Sequence, residues 1–162
     1  MMSINEVLEK LHAKFGDDGI VLDGIDSLEP FITIPASELV SICEFLRYDP
    51  ELIFDALLCL SGVDRSADDD TMEVVYHLQS MTHIHQVVIK IIVPKETPRL
   101  STVEHLWKGA NWHEREVYDL YGVVFDNHSD LRRILLPDDW EGYPMRKDYQ
   151  EPDTYRGMKV PY

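Results

Sequence analysis

The chain is 162 residues long, with 44% hydrophobic and 28% charged residues, a balance that fits one domain with a real core plus a short appendage. Its net charge is −15, concentrated in residues 1–98, which hold six Lys/Arg against eighteen Asp/Glu; residues 99–162 hold nine against twelve. No basic stripe exists to neutralise phosphates or to meet an anionic bilayer, so nucleic-acid binding and direct membrane-surface binding are excluded as working readings.

The N-terminal Met1-Met2-Ser3-Ile4-Asn5-Glu6 has neither the basic region nor the apolar core of a signal peptide. Ile4, Val7, Leu8, Leu11 and Phe15 then follow helical spacing, with Ser3 and Glu6 as a capping box and Gly16 and Gly19 as the exit. Residues 20–22 and 31–34 read as short strands around a polar turn. Ser37 is the expected N-cap of a second helix carrying Leu39, Ile42, Cys43 and Leu46 on one stripe, stopped at Asp49-Pro50. Residues 52–60 form a dense apolar run, read as helix entering strand, with Ser61-Gly62-Val63-Asp64 as its exit. Ala67-Asp68-Asp69-Asp70 reads as a solvated turn. A calcium loop starting at Asp64 would have Asp69 where glycine is needed and Val75 where the twelfth-position carboxylate belongs.

Met72, Val74, Tyr76 and Leu78 alternate with Glu73, His77 and Gln79, and the odd positions His85, Val87, Ile89, Ile91 and Val93 mark the next strand, which predicts an antiparallel strand pair. The longest apolar run, residues 87–93, is interrupted by Lys90 and is far short of the ~20 residues of a membrane span. Ser101 and Glu104 read as a second capping box for a short helix through Trp107, and Asn111 as the cap of a helix closed by Gly122. From residue 137 onward there are four prolines and five aromatics without helical or strand period, the composition of a segment laid along a partner surface.

Signs of chemistry are few. Cys43 and Cys59 belong to no CxxC pair and read as buried thiols. His113-Glu114-Arg115-Glu116-Val117 starts like a zinc-protease motif but has Val117 where the second His must stand. His83 and His85 supply two imidazoles without a third ligand. Helical periodicity makes Glu114, Arg115, Glu116 and Asp119 a solvated face, on which Arg115 and Asp119 can pair and Glu116 can raise the pKa of Asp119. No catalytic, cofactor-binding or metal-binding residue is assigned.

Three blocks in order carry a resemblance: Glu114-Arg115-Glu116-Val117-Tyr118-Asp119-Leu120-Tyr121-Gly122-Val123-Val124-Phe125, then Leu131-Arg132-Arg133-Ile134-Leu135-Leu136-Pro137-Asp138-Asp139-Trp140-Glu141-Gly142, then Gly142-Tyr143-Pro144-Met145-Arg146-Lys147-Asp148-Tyr149. They resemble the 30-kDa-type subunit (the C-subunit) of proton-pumping NADH:quinone oxidoreductase, respiratory complex I. The motif match spans about residues 112–149, and the N-terminal portion matches only in layout. Ser129 stands where that family usually has Pro, and Tyr143 where His is common.

The resemblance implies a non-catalytic structural subunit of the hydrophilic arm. Its partners would be the 49-kDa-type subunit and the subunit that carries the last iron–sulfur cluster, with clusters, flavin and quinone in the partners. It also implies a place on the cytoplasmic side of the bacterial inner membrane, with membrane contact only through partners. Arg115, Glu116, Asp119, Arg132, Arg133, Arg146 and Lys147 become candidate docking charges, and Trp140, Tyr143 and Tyr149 candidate hot spots. Alternatives are the equivalent subunit of a membrane-bound hydrogenase or of the photosynthetic type I dehydrogenase. A third is a stand-alone enzyme using Glu114, Glu116 and Asp119. The expected fold is α+β in two layers, a mixed sheet with helices on one side, followed by a helical signature motif and an extended tail. The expected divisions are 1–98, 99–136 and 137–162.

Overall fold

The computed structural model describes residues 2–65 and 69–160. Helix α1 (Ile4–Phe15) starts at the Ser3–Glu6 capping box, both halves of which are formed, and ends at Gly16. Strands β1 (Val21–Asp23) and β2 (Phe31–Thr33) pair antiparallel. Helix α2 (Leu39–Tyr48) is entered through a 3-10 turn at Ala36–Glu38, so Ser37 lies inside that turn and does not cap the helix. Its backbone leaves the helix at Asp49, whose extended conformation suits a residue before Pro50.

Residues 52–60 contain no helix: Leu52 ends a turn, residues 53–55 are irregular, and β3 runs Ala56–Asp64, with Ser61, Gly62 and Val63 inside the strand. The reason is pairing, since β3 takes up an edge of β4 (Thr71–Ser80) along nearly its whole length. β4 and β5 (His85–Pro94) form the expected antiparallel pair in unbroken register from Thr71↔Pro94 to Ser80↔His85. Of the acidic turn, Asp69 and Asp70 are described, whereas Ala67 and Asp68 lie outside the described residues. β2 joins β5 in parallel, giving the order β1-β2-β5-β4-β3 and a mixed five-stranded sheet.

The even positions Met72, Val74, Tyr76 and Leu78 of β4 and the odd positions Val87, Ile89, Ile91 and Val93 of β5 enter one core with Val7 and Leu11 of α1 and Ile42, Cys43 and Leu46 of α2. Gly62, opposite Val74, lies on this same face, and a Cβ there would meet Val117 and Tyr121 of α3 (Ala110–Tyr121). The helices therefore cover one face of the sheet, in two α+β layers. The other face carries Glu73 between Lys90 (3.0 Å) and Arg65 (3.7 Å).

Residues 101–107 form no helix either. β6 (Arg99–Ser101) pairs in parallel with β7 (Val124–Asp126), and Thr102 N–H donates to the Asp126 carbonyl at 2.9 Å. Ser101 is thus consumed by a strand, and Leu100, Val103, Leu106 and Trp107 enter the main core. The N-cap of α3 is Gly109, with Asn111 already inside the helix; its C-cap is Gly122, left-handed at φ 75° as expected. Past β7 the chain is irregular up to a small hairpin of β8 (Thr154–Tyr155) and β9 (Met158–Lys159).

Candidate docking site on helix α3

Helix α3 inverts the usual rule for a surface helix. Glu114, Arg115 and Asp119 are buried, while Trp112 is 61% exposed. The charged residues are therefore not a solvated face, and each buried charge has its own set of partners.

Glu114 points toward the sheet. The Thr102 hydroxyl donates to one of its oxygens and Val103 N–H to the other at 2.8 Å. Burial raises its pKa to about 7, against the opposing pull of those two donors, with the Glu104 charge adding to the rise. Beside it His128, whose side chain is fully enclosed, places Nε2 at 3.8 Å from Glu114 and 3.6 Å from Glu104. Its Nδ1 accepts from Asp130 N–H at 3.0 Å, so the proton sits on Nε2, which faces the Asn111 carbonyl at 3.1 Å. Glu104 accepts from the Asn111 side chain, from Ser129 N–H at 2.7 Å and from the Ser129 hydroxyl at 3.1 Å. Its burial would raise its pKa, but these donors outweigh that and hold it below the usual range. A proline at 129 could not make the Ser129 N–H bond.

Asp119 points the other way. Its Oδ2 accepts from three successive amides, Ile134, Leu135 and Leu136, at 3.0, 2.8 and 2.9 Å, and its Oδ1 takes Arg133 Nη1 at 2.7 Å. Burial pushes its pKa up, yet the Leu136 N–H, the Arg133 guanidinium and the other two amides prevail and hold it low. Its partner is Arg133 rather than Arg115, and its pKa is lowered rather than raised. Arg115 instead donates to the carbonyls of Arg132 and Arg133, both at 3.2 Å, and stacks against Trp112.

These contacts fold residues 131–149 back over α3. Arg133 Nη2 donates to the carbonyls of Trp140 (2.9 Å) and Gly142 (3.0 Å). Arg146 Nε donates to the Tyr121 carbonyl at 2.6 Å, and Met145 N–H to that of Leu120 at 3.1 Å. The Tyr143 ring lies on Gly122, with the guanidiniums of Arg133 and Arg146 5.4 and 5.0 Å from its centre. Lys147 N–H reaches Asp64 at the end of β3 at 2.8 Å, and Asp148 pairs with Lys95 at 2.9 Å. Trp140 Nε1 donates to the Tyr149 hydroxyl at 3.1 Å.

Of the candidate docking residues, Glu116, Arg132 and Lys147 are exposed, while Arg133, Trp140, Tyr143, Arg146 and Tyr149 are half-buried. Arg115 and Asp119 are buried. Sequence reasoning missed three exposed apolar side chains on the same segments: Trp112, Leu135 (62% exposed) and Met145 (52%). Their signal was faint, an aromatic on the polar side of a helix and two apolar residues in a stretch without period.

The three carboxylates of the enzyme alternative do not converge, since Glu114 and Asp119 are buried on opposite flanks and Glu116 is in solvent. Among the described residues no group of three His, Cys, Asp or Glu side chains could hold a metal ion. His83 and His85 each direct Nε2 at a backbone carbonyl, those of Pro50 and Leu52.

A family model described as the 30-kDa subunit of respiratory-chain NADH dehydrogenase matches residues 32–155. The chain belongs to this family. The 30-kDa-family chain is 48% identical over 92% of its length to the NADH-quinone oxidoreductase C-subunit of Chloroherpeton thalassium, and spans 62% of that relative. It is 41% identical over 92% of its length to the corresponding C-subunit of Chlorobium phaeobacteroides, spanning 90% of it. Among solved structures, a trypsin-resistant fragment of Nqo5 is matched in full over 80% of this chain at 32% identity and a TM-score of 0.65. A chain in the structure of the membrane-bound sulfane sulfur reductase, an archaeal respiratory membrane complex, is matched over 85% of its length and 90% of this chain at 26% identity and a TM-score of 0.71. Among the described residues no helix is long and apolar enough to cross a membrane.

Proposed function

We propose that this chain is a non-catalytic structural and assembly subunit in the hydrophilic arm of a complex I-type NADH:quinone oxidoreductase, docked on the 49-kDa-type subunit and near the subunit with the last iron–sulfur cluster. Clusters, flavin and quinone belong to those partners. The complex holds the chain peripherally on the cytoplasmic side of a bacterial inner membrane. Residues 1–98 form the supporting α+β unit, 99–136 the signature motif and 137–162 the docking tail.

The observation that carries this reading is the Asp119 latch. Three amides and a guanidinium on one buried carboxylate fix the 131–149 segment on α3. A segment without its own secondary structure gains a defined shape this way, and preorganisation lowers the entropic cost of association. It displays Leu135 and Met145 beside the charges of Arg132 and Lys147, with Trp112 and Glu116 on the helix. Trp140, Tyr143 and Tyr149 supply the half-buried aromatic relief, and Arg115, Arg133 and Arg146 hold it in place.

Co-expression with the 49-kDa-type partner tests the reading. The double variant Leu135→Asp, Met145→Asp should keep the unfolding midpoint and lose co-purification, because removing a central apolar anchor costs ~2 kcal/mol or more. Undiminished co-purification would overturn it.

The likeness to the sulfane sulfur reductase chain favours a second reading, the same role in a membrane-bound respiratory complex that carries out another redox reaction. The identities of 48% and 26% rank the first above it. Identification of the chains co-purifying from the native host separates the two.

A further inference from the structure

The C-terminal hairpin makes contacts that the docking reading does not use. Its turn, Tyr155-Arg156-Gly157-Met158, has two central residues in the left-handed region, at φ 49° and 79°. Such turns favour Asn-Gly, and an arginine at the first of the two positions is strained. What the arginine supplies is its side chain. Arg156 Nε and Nη2 each lie 3.0 Å from the Asp139 carboxylate. The Tyr155 hydroxyl donates to the same carboxylate at 2.8 Å, and its ring lies 5.1 Å from that of Trp140. Among the described residues, the hairpin's hydrogen bonds to the rest of the chain all end on Asp139.

The attachment is built to be reversible. Arg156 and Asp139 are 63% and 52% exposed, so their attraction is weak and screened by salt. Met158 is 64% exposed, and a two-stranded hairpin has little stability of its own. Between the hairpin and the 139–141 segment remains a cleft of about 250 Å³ lined by Asp139, Trp140, Glu141, Pro152, Tyr155 and Arg156.

We propose that this hairpin is an internal strap: in the free subunit Tyr155 and Arg156 cover the Asp139 carboxylate and the Trp140 ring, and a partner segment bearing an arginine or lysine beside an aromatic displaces them on docking. The occupant's chemistry is read from the strap itself, a cation and a ring on a carboxylate and an indole, and from the acidic Asp139 and Glu141 that line the cleft. The inference rests on the docking reading above.

The test uses Arg156→Ala in the full chain, which leaves the Asp139 and Trp140 side chains in place. In the free protein the indole N–H resonance of Trp140 should shift in the variant, and amide exchange across 154–159 should accelerate. An unchanged resonance and unchanged exchange would overturn the strap while leaving the docking reading in place. Affinity for the 49-kDa-type partner should rise about threefold to tenfold, the factor by which a mostly closed state lowers apparent affinity. Tyr155→Ser should give the same sign. Equal or weaker binding by both variants would mean that the hairpin masks nothing and would overturn the strap. Absence of binding by the wild type and both variants alike would overturn the docking reading and the strap with it.

Discussion

The two flanks of helix α3 each bury one carboxylate, and they treat it oppositely. Glu114, on the sheet side, meets two donors and the charge of Glu104, and burial prevails, so it favours the proton. Asp119, on the loop side, meets three amides and a guanidinium, and the donors prevail, so it favours the charge. Burial alone therefore does not decide the state of an acid; the number of donors aimed at it does. The sheet-side acid belongs to the core and the loop-side acid organises the surface.

Removing Asp119 should have the largest effect. Asp119→Ala leaves Arg133 and three amides without their acceptor, a loss of ~3–5 kcal/mol for a broken buried pair. Hydrogen exchange should show residues 131–149 opened while the β4–β5 amides stay protected. Simultaneous loss of both would show that the two flanks are one cooperative unit and would break the comparison. Because the folded pKa of Asp119 is depressed, its contribution is present above the ordinary value of 3.8 and is lost as pH falls through the lowered one.

Glu114 should show the opposite sign. Its folded pKa of about 7 lies above the ordinary 4.5, so its contribution is complete below 4.5 and is lost as pH rises toward 7. That shift corresponds to about 3 kcal/mol. Urea midpoints of Glu114→Gln should fall less than the wild type's between those two pH values; parallel curves would remove the sheet-side half of the comparison.

Gly122→Ala should cost less, ~1–2 kcal/mol for a left-handed residue with a Cβ. That Cβ would come within 2.5 Å of the Tyr143 ring, so the loss should be accompanied by faster exchange at 143–147. Unchanged exchange there would detach Tyr143 from the latch.

The smallest effect is expected from Glu116→Gln. Glu116 is exposed on the same helix, and substitutions of that kind change stability by about 0.5 kcal/mol or less. A thermal melt should not separate the variant from the wild type, whereas co-purification with the partner should weaken. A large loss of stability would place Glu116 in the same class as Asp119.

The sequence by itself determined whatever depends on near neighbours. The Ser3–Glu6 capping box, the alternation of β4 and β5 and the glycine closing α3 at 122 all involve residues a few positions apart, and all stand in the fold. The ordered motif blocks also suffice to identify the family. Tertiary structure decided the rest. Residues 56–60 are strand because β4 offers an edge, and the plausible capping box at Ser101 loses to a parallel partner 25 positions away at Asp126. Periodicity read the charges of α3 as solvated because their donors, at 102–103 and 133–136, lie in other segments. Local pattern reports which face a residue occupies on its own element. Whether a buried charge is tolerated depends on donors that only folding brings within 3 Å.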